Sequence, residues 1–199
     1  MTPRPTEPAA VVPLDEVVIG SEVRYRGRYL SLRIDTIERA DGTRATREIV
    51  GHPGAVAIVA VDAEDRVALV RQWRVAAGSA LLEIPAGTLD VDAATNRAED
   101  PDVAAARELE EETGLRATTW RRLASFWTAP GFATELMHLY LATGLAPAAV
   151  NRLGPDEDER LELVWQPFDE AVAAAARGAF ADAKTILGLL VADRAKEGR

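Results

Sequence analysis

Residues 107–115 read RELEEETGL, and this stretch decides more about the fold than any other part of the chain. Helical character extends over residues 100–113, with Asp100 as a candidate N-cap and Pro101 in the first turn. Gly114 suits the left-handed conformation that ends many helices. The sequence therefore predicts a helix that carries a dense acidic run.

The acidic run places three carboxylates on one helix face. Glu108, Glu111 and Glu112 are related by three and four residues, a spacing that brings side chains together on a helix. Such carboxylates repel one another without a counterion, and Mg²⁺ prefers oxygen ligands. Arg107 lies four residues before Glu111 and is placed to hold its carboxylate. An acidic helical run is more commonly a solvated surface, so the run by itself leaves both interpretations open.

The bulk composition limits the class of protein. A length of 199 residues suits one domain with a small additional subdomain, and a hydrophobic content of 48% is enough for a core. The absence of cysteine excludes disulfides, thiolate metal sites and cysteine nucleophiles. The net charge of −9 is opposite to that of most nucleic-acid binders, so an anionic phosphate compound would need a divalent cation as a bridge.

No segment has the pattern of a targeting or membrane sequence. The first 16 residues lack the apolar run of a signal peptide, and no later stretch is long and apolar enough to span a bilayer. We therefore expect a cytoplasmic protein that has neither a membrane nor a nucleic acid as its partner.

The chain divides by pattern into three segments. Residues 1–14 are rich in Pro and small residues and predict a loose tail. Residues 15–50 alternate like a small antiparallel sheet, with a hairpin signal at Asp41-Gly42. Residues 51–199 predict a mixed sheet flanked by helices, an α/β or α+β fold. The expected strands there are 55–61, 66–71, 81–84, 118–126, 135–142 and 161–166, and the later helices are 169–177 and 182–196.

The acidic helix and the residues before it resemble the signature of the Nudix hydrolases. That signature has a Gly, five residues, a Glu, seven residues, and then Arg-Glu-apolar-any-Glu-Glu-any-Gly-apolar. Here Glu99 precedes Arg107 by seven intervening residues, and the remainder matches position by position. The opening glycine is the one departure, because Ala93 stands at its place and Gly87 is the best candidate. This implies an insertion of six residues within 89–98, which leaves the shape of that loop open.

Further segments resemble the ADP-ribose pyrophosphatase branch, and together they span residues 17–190. They are REIVGHPGAV at 47–56, VRQWR at 70–74, EIPAG at 83–87 and APGF at 129–132. The resemblance implies a Nudix α/β/α sandwich over residues 51–199, and an N-terminal sheet that serves dimerisation and substrate recognition. It also implies hydrolysis of ADP-ribose, a small nucleotide, to AMP and ribose 5-phosphate with Mg²⁺, or Mn²⁺ as an alternative.

The same resemblance assigns the metal and phosphate ligands. Glu108 and Glu112 become metal ligands, Glu111 joins the cluster as a metal and catalytic residue, and the carbonyl of Ala86 is a further ligand. Arg74 matches an arginine that contacts the substrate phosphates. The alternatives are strand-end packing for Ala86 and an ordinary surface position for Arg74.

A late acidic loop supplies the candidate general base. Residues 154–160 read GPDEDER and precede a predicted strand. By resemblance Glu157 is the base, with Glu159 as its rival, because the register of this loop is not fixed by the sequence. Without the resemblance the loop is a solvated charged segment.

Substrate recognition in this branch is shared across a homodimer. Arg47 and Glu48 match residues that contact the adenine end, and Tyr29 is a candidate to stack on the base. An equal alternative for Tyr29 is an ordinary half-buried strand aromatic. Trp73 and Trp127 are expected in the core.

Other functions remain as rivals. Another nucleotide sugar or dinucleotide would keep the same chemistry, whereas an enzyme for damaged nucleoside triphosphates would usually lack the N-terminal sheet. A non-catalytic ADP-ribose sensor often has an altered signature, which is intact here. An interaction protein with a solvated acidic helix is the remaining class. His52 and His138 are expected to be structural, and no GxxxxGK[ST] phosphate loop is present.

Overall fold

The structure is a computed structural model that describes residues 14–95, 97–148 and 160–197. These residues form two compact units. The first contains the described residues up to His52 together with Ala129–Thr134, and the second contains those of Pro53–Thr128 and those from Glu135 onward. Each unit is built around its own sheet.

The first unit is a three-stranded antiparallel sheet, as the alternating pattern predicts. Its strands, in the order β1-β2-β3, are β1 (Glu16–Arg26), β2 (Ser31–Arg39) and β3 (Arg44–Gly51). Asp41 and Gly42 form the second hairpin turn, in which Gly42 has a φ of 80° and Asp41 Oδ1 accepts the backbone N–H of Thr43 at 2.9 Å. The glycine is required because an L side chain rarely adopts this φ.

Strand β2 is the most buried strand of this sheet, while β1 is exposed at all eleven of its positions. Asp35 on β2 is 4% exposed and accepts hydrogen bonds from Ser21 Oγ at 2.7 Å and from Arg33 Nε. The hydrogen bond from Ser21 and the positive charge of Arg33 hold the pKa of Asp35 below its usual range. Strand β1 therefore presents side chains on both faces that this chain alone leaves uncovered.

The segment Ala129–Thr134 adds to the end of β3. Val50 N–H donates to the carbonyl of Phe132 at 2.7 Å, and Thr134 N–H donates to the carbonyl of Val50 at 3.0 Å. The hydroxyl of Thr134 accepts the backbone N–H of His52 at 2.9 Å. These bonds anchor a loop that enters the first unit from a distant part of the chain.

The described residues of the second unit form a mixed seven-stranded sheet and three α-helices, which confirms the predicted mixed fold. The sheet order is β10-β5-β4-β9-β8, with β6 paired to β5 and β7 paired to β4. Among the described strands, only β4 and β9 pair in parallel. The elements are β4 (Ala55–Val61), β5 (Arg66–Arg74), β6 (Ser79–Glu83), β7 (Ala86–Thr88), α1 (Pro101–Thr113), β8 (Leu115–Trp127), β9 (Leu136–Pro147), β10 (Leu161–Pro167), α2 (Phe168–Ala176) and α3 (Ala183–Glu197).

Helices cover both faces of this sheet, so the unit is an α/β/α sandwich. Every residue of β4 is buried, and its side chains alternate between two hydrophobic clusters. One cluster includes Leu109 of α1, and the other includes Phe168 of α2 and Leu189 of α3. A strand buried on both faces is typically a continuous apolar run, and the sequence AVAIVAV is one.

The ends of α1 follow the sequence signals. Asp100 is the N-cap and accepts the N–H of Asp102 at 2.9 Å, and Pro101 is the first helical residue. Gly114 has a φ of 68°, and its N–H donates to the carbonyl of Glu110 at 2.9 Å. None of the described helices combines the length and apolarity needed to cross a membrane.

Two expectations about the core are wrong. Trp73 is 62% exposed and Trp127 is 53% exposed. Trp73 lies near the end of β5 beyond its buried stretch, and Trp127 is the last residue of β8. The hydrophobic character of tryptophan suggested burial, but Trp73 lies past the buried residues of β5, and β8 is an edge strand of the sheet without a buried position.

Candidate active site

The carboxylates of α1 meet the backbone of β7. Ala86 N–H donates to Glu112 Oε2 at 3.0 Å. A Cβ added to Gly87 would lie less than 3.0 Å from Cδ and both oxygens of Glu108. Only a glycine at this position lets the Glu108 carboxylate approach the strand so closely. The structure thus brings together Ala86, Gly87, Glu108 and Glu112, which the resemblance assigns to one site. Ala86 and Glu112 are 26 positions apart in the chain.

Arg107 donates hydrogen bonds to three carboxylates of this site, those of Glu99, Glu108 and Glu111. Its Nη1 donates to Glu108 Oε1 and to Glu111 Oε2, each at 2.8 Å, so these two oxygens are no farther apart than twice that distance. Its Nη2 donates to Glu99 Oε2 at 2.8 Å and to the carbonyl of Thr88 at 3.3 Å. The hydrogen bonds to Glu99, together with the charge of Glu108, raise the pKa of Arg107 despite partial burial. Arg107 therefore stays charged and holds Glu111 as its spacing predicts.

The two ends of the six-residue insertion are paired with each other. Glu99 N–H donates to the carbonyl of Asp90 at 2.7 Å, and Asp90 N–H donates to Glu99 Oε2 at 3.3 Å. Val91 and Ala98 then form an isolated antiparallel bridge. Because the two ends of the insertion are paired, Glu99 still reaches Arg107. Gly87 thus takes the place of the expected opening glycine.

The donor set of this cluster suits a divalent cation that prefers oxygen ligands. The backbone of β7 and three carboxylates of α1 provide oxygen atoms and neither sulfur nor imidazole, and glycine at position 87 leaves room for the Glu108 carboxylate against the strand. Within the described residues, no three acidic or histidine side chains already form a group that could hold an ion. The side chains instead bond to Arg107 and to the N–H of Ala86. A bound cation would compete with these donors for carboxylate oxygens, and the all-oxygen ligand set is of the kind that hard divalent cations prefer.

Arg74 lies beside this cluster but is already engaged. Its Nε and Nη2 donate to Glu83 Oε1 and Oε2, each at 2.8 Å. The hydrogen bonds to Glu83 raise the pKa of Arg74, against the effect of burial, and the negative charge of Glu112 adds to the shift. The guanidinium therefore uses its side edge for Glu83 and keeps its end edge, Nη1 and Nη2, for another acceptor. The contact of Arg74 with the substrate phosphates stays a prediction.

Three predicted substrate residues lie in the first unit. Arg47 on β3 donates from Nε to Glu16 Oε2 at 3.0 Å, and Glu48 beside it is exposed. Tyr29 lies in the loop between β1 and β2, is 52% exposed, and has the guanidinium carbon of Arg28 at 4.7 Å from its ring centre. Tyr29 is thus an exposed loop residue rather than a half-buried strand aromatic.

The two candidates for the general base, Glu157 and Glu159, lie outside the described residues. Their assignment stays a prediction.

A network around Glu83 was missed by the sequence reasoning. Glu83 is 1% exposed, and Lys184 Nζ of α3 donates to its Oε2 together with Arg74. Thr185 Oγ1 accepts the backbone N–H of Ile84 at 2.9 Å. The sequence analysis identified residues 83–87 as a motif but gave Glu83 no role. Lys184 of α3 lies 101 positions after Glu83 in the chain. No local pattern marks Lys184, because the fold alone brings it to Glu83.

Comparisons with known proteins match both units. The family model of the NUDIX domain matches residues 51–189, and that of the nucleoside diphosphate sugar hydrolase N-terminal domain matches residues 16–50. Each unit thus has a counterpart among known families.

Two relatives and one solved structure are similar over most of the chain. The ADP-ribose pyrophosphatase of Mycobacterium tuberculosis is 40% identical over 176 residues, 88% of this chain and 82% of that protein. The methanol dehydrogenase activator of Bacillus methanolicus is 41% identical over 175 residues, 88% of this chain and 91% of that protein. The crystal structure of an ADP compounds hydrolase superposes with a TM-score of 0.77 at 25% identity, over 92% of this chain and 95% of the other.

Proposed function

This chain belongs to the NUDIX domain family as a Nudix pyrophosphatase, and from that membership we propose that it hydrolyses ADP-ribose to AMP and ribose 5-phosphate with Mg²⁺. The observation that carries the proposed chemistry is the approach of Glu108 and Glu112 to the backbone of Ala86 and Gly87. The similarity to an ADP-ribose pyrophosphatase over most of both chains supports the substrate.

The proposed ligands of Mg²⁺ are Glu108, Glu111, Glu112 and the carbonyl of Ala86, with Mn²⁺ as an alternative ion. When bound there, the ion would neutralise the charge of the diphosphate and lower the pKa of a coordinated water. Arg107 keeps Glu108 and Glu111 on the same side of α1. The N–H of Ala86 orients Glu112 through its Oε2.

Two further side chains complete the proposed mechanism. The end edge of Arg74 binds oxygens of the substrate diphosphate, because charge-assisted hydrogen bonds to phosphate are strong and directional. Glu157, with Glu159 as the rival, takes the proton of the attacking water. General-base catalysis of this kind contributes about 10²–10⁴-fold to the rate.

The first unit would recognise the adenosine end. Tyr29 is exposed and presents an aromatic face for the base, while Arg47 and Glu48 supply a donor and an acceptor. Because Arg47 is paired with Glu16, its contact with the nucleotide uses remaining donors or an exchange of partner.

We propose that β1 is covered by a second copy of the chain in a homodimer. Its side chains face outward at every position, and an exposed apolar edge strand is a surface that proteins usually protect. The large apolar side chains involved are Val17, Val18, Ile19, Val23 and Tyr25, each at least 45% exposed.

Light scattering after gel filtration would test the dimer. The wild type should elute at twice the mass of 21.4 kDa, and Val23→Asp should shift the population toward one chain. Arg24→Ala, at an exposed polar position of the same strand, is the matched control. A wild type that stays monomeric at about 100 µM would exclude a dimer of useful affinity.

The substrate is tested with purified protein and a panel of nucleotides. ADP-ribose, ADP-glucose, NADH and 8-oxo-dGTP would be incubated separately with Mg²⁺, and kcat/KM would be compared by chromatography of the products. We expect ADP-ribose to give the highest value, with AMP and ribose 5-phosphate in equal amounts. A higher value for ADP-glucose would favour a broader nucleoside diphosphate sugar hydrolase, in keeping with the N-terminal domain. Tight binding of ADP-ribose without turnover would favour a sensor.

A further inference from the structure

Helix α3 holds the chain immediately before the active-site strand β7. Lys184 Nζ donates to Glu83, and Thr185 Oγ1 accepts the N–H of Ile84 at 2.9 Å. A Cβ added to Gly188 would lie 2.7 Å from Ile84 Cδ1, so α3 packs on this side chain with no space to spare. Three successive contacts thus fix residues 83 and 84, which lead directly into Pro85 and Ala86.

Glu83 is a buried carboxylate shared by two cations. It is 1% exposed and accepts hydrogen bonds from Arg74 and Lys184, while Lys184 also lies 3.1 Å from Asp182 Oδ1. Burial by itself would raise the pKa of Glu83, but the two cations outweigh it and hold the pKa below its usual range. The four groups Arg74, Lys184, Glu83 and Asp182 therefore form a charge-neutral set.

This set determines how Arg74 is presented. Both oxygens of Glu83 bind the side edge of the guanidinium, and Lys184 holds one of those oxygens from the side of α3. Because Glu83 is held from two sides, the Arg74 guanidinium has a fixed orientation. Without Lys184, the charge of Arg74 would be offset by two carboxylates and the set would carry a net negative charge beside an anion-binding site.

We propose that Lys184 is a positioning residue for pyrophosphate binding, acting through Glu83 on Arg74. Its side chain is 12% exposed and its ammonium contacts Glu83 and Asp182, so it acts without touching the substrate. This role rests on the proposed contact between Arg74 and the substrate phosphates. Removal of the outer partners that orient metal ligands commonly changes affinity or activity by about 10–100-fold, and we expect an effect at the lower end of this range for a partner that orients Arg74.

The test compares variants of two lysines on the same helix. Lys184→Met removes the ammonium and keeps an unbranched side chain one atom shorter, and Lys184→Arg retains a cation. Lys196→Met is the matched control, since Lys196 also lies on α3 and pairs with an acidic residue, Asp65, elsewhere. KM and kcat for ADP-ribose with Mg²⁺ would be measured for each variant, along with its melting temperature.

We expect Lys184→Met to raise KM by about tenfold while kcat changes by less than about twofold, because Arg74 binds the ground state and the transition state alike. Lys184→Arg should recover most of the loss, and Lys196→Met should match the wild type. In an Arg74→Gln background, Lys184→Met should raise KM by less than a further factor of about two, since the side chain through which Lys184 acts is already removed.

Three results would overturn this role. They are an unchanged KM in Lys184→Met, the same increase with and without Arg74, and a fall in kcat that follows the melting temperature. If the wild type turns over no nucleotide of the panel, the proposed function fails on its own. The dissociation constant of ADP-ribose in EDTA, measured by calorimetry for the same variants, then decides the role of Lys184. If the wild type does not bind ADP-ribose in EDTA, the proposed role of Lys184 is rejected.

Discussion

Replacement of Gly87 by alanine is the perturbation whose effect the structure defines most sharply. The added methyl group would lie within 3.0 Å of Cδ, Oε1 and Oε2 of Glu108, whereas ordinary contact begins at 3.4 Å. Gly87 is not among the residues with positive φ, so alanine is compatible with the local backbone. The consequence of Gly87→Ala is therefore a steric displacement of one proposed metal ligand.

The size of the effect follows from the depth of this overlap. The Glu108 carboxylate, or the strand facing it, must retreat by more than about 1 Å, a misplacement that can cost about 10²-fold in rate. Overpacking of a tightly packed site costs about 1–3 kcal/mol of folding free energy. For a chain of this length each kcal/mol lowers the melting temperature by about 2–4 °C. We therefore expect kcat/KM to fall at least about 10²-fold in a protein that is still folded at 25 °C.

The assay measures AMP release from ADP-ribose across a Mg²⁺ titration, together with the melting temperature with and without Mg²⁺. Gly87→Ala should lose both activity and the stabilisation by Mg²⁺, because a ligand that binds only the folded state raises its stability. Gly131→Ala is the matched control, since an added Cβ there meets nothing within 4 Å. A Gly87→Ala variant with wild-type kcat/KM would refute the assignment of Glu108 and of Gly87 as its neighbour.

Three further perturbations test other parts of the structure. Deletion of residues 92–97 should leave kcat/KM within about threefold, since the hydrogen bond from Glu99 N–H to the carbonyl of Asp90 would then close a four-residue turn; a loss above about 10²-fold would show that the loop contributes to the site. Thr185→Val should cost about 1–3 kcal/mol in a denaturant titration, because the buried N–H of Ile84 loses its acceptor. Burial and the charge of Arg122 lower the pKa of His138. Just below pH 6.5 the unfolded chain therefore binds more protons at His138 than the folded chain does, and the wild type should lose stability as the pH falls through this range. His138→Gln should remove that part of the loss, and identical pH profiles of the two proteins would contradict the assignment.

Local signals were sufficient for most of the fold. The N-cap Asp100 and the stop at Gly114 bound α1 because capping depends on a few neighbouring residues. The uninterrupted run of β4 predicts a strand buried on both faces, and the alternation before residue 50 predicts the small sheet. The carboxylate face of α1 is a consequence of helical periodicity alone.

The remainder depends on long-range contacts that no local pattern encodes. Strand β7 has three residues and exists because it pairs with β4, so residues 86–88 were not predicted as a strand, although Ala86 and Gly87 belong to the EIPAG motif. Lys184 meets Glu83 only after α3 has packed on the sheet. The exposure of Trp73 likewise depends on where the buried part of β5 ends, which composition does not specify.

The most direct test of the central claim is AMP release from ADP-ribose by the wild type and by Glu112→Gln, each with Mg²⁺ and again with EDTA. Glu112 is on the proposed metal-binding face of α1, and its Oε2 accepts the N–H of Ala86. We predict AMP release by the wild type that stops with EDTA, and a loss of at least about 10²-fold in Glu112→Gln, which keeps the shape of the side chain without its charge. Equal AMP release by both proteins, or release that continues undiminished in EDTA, would contradict a metal-dependent pyrophosphatase built on this cluster.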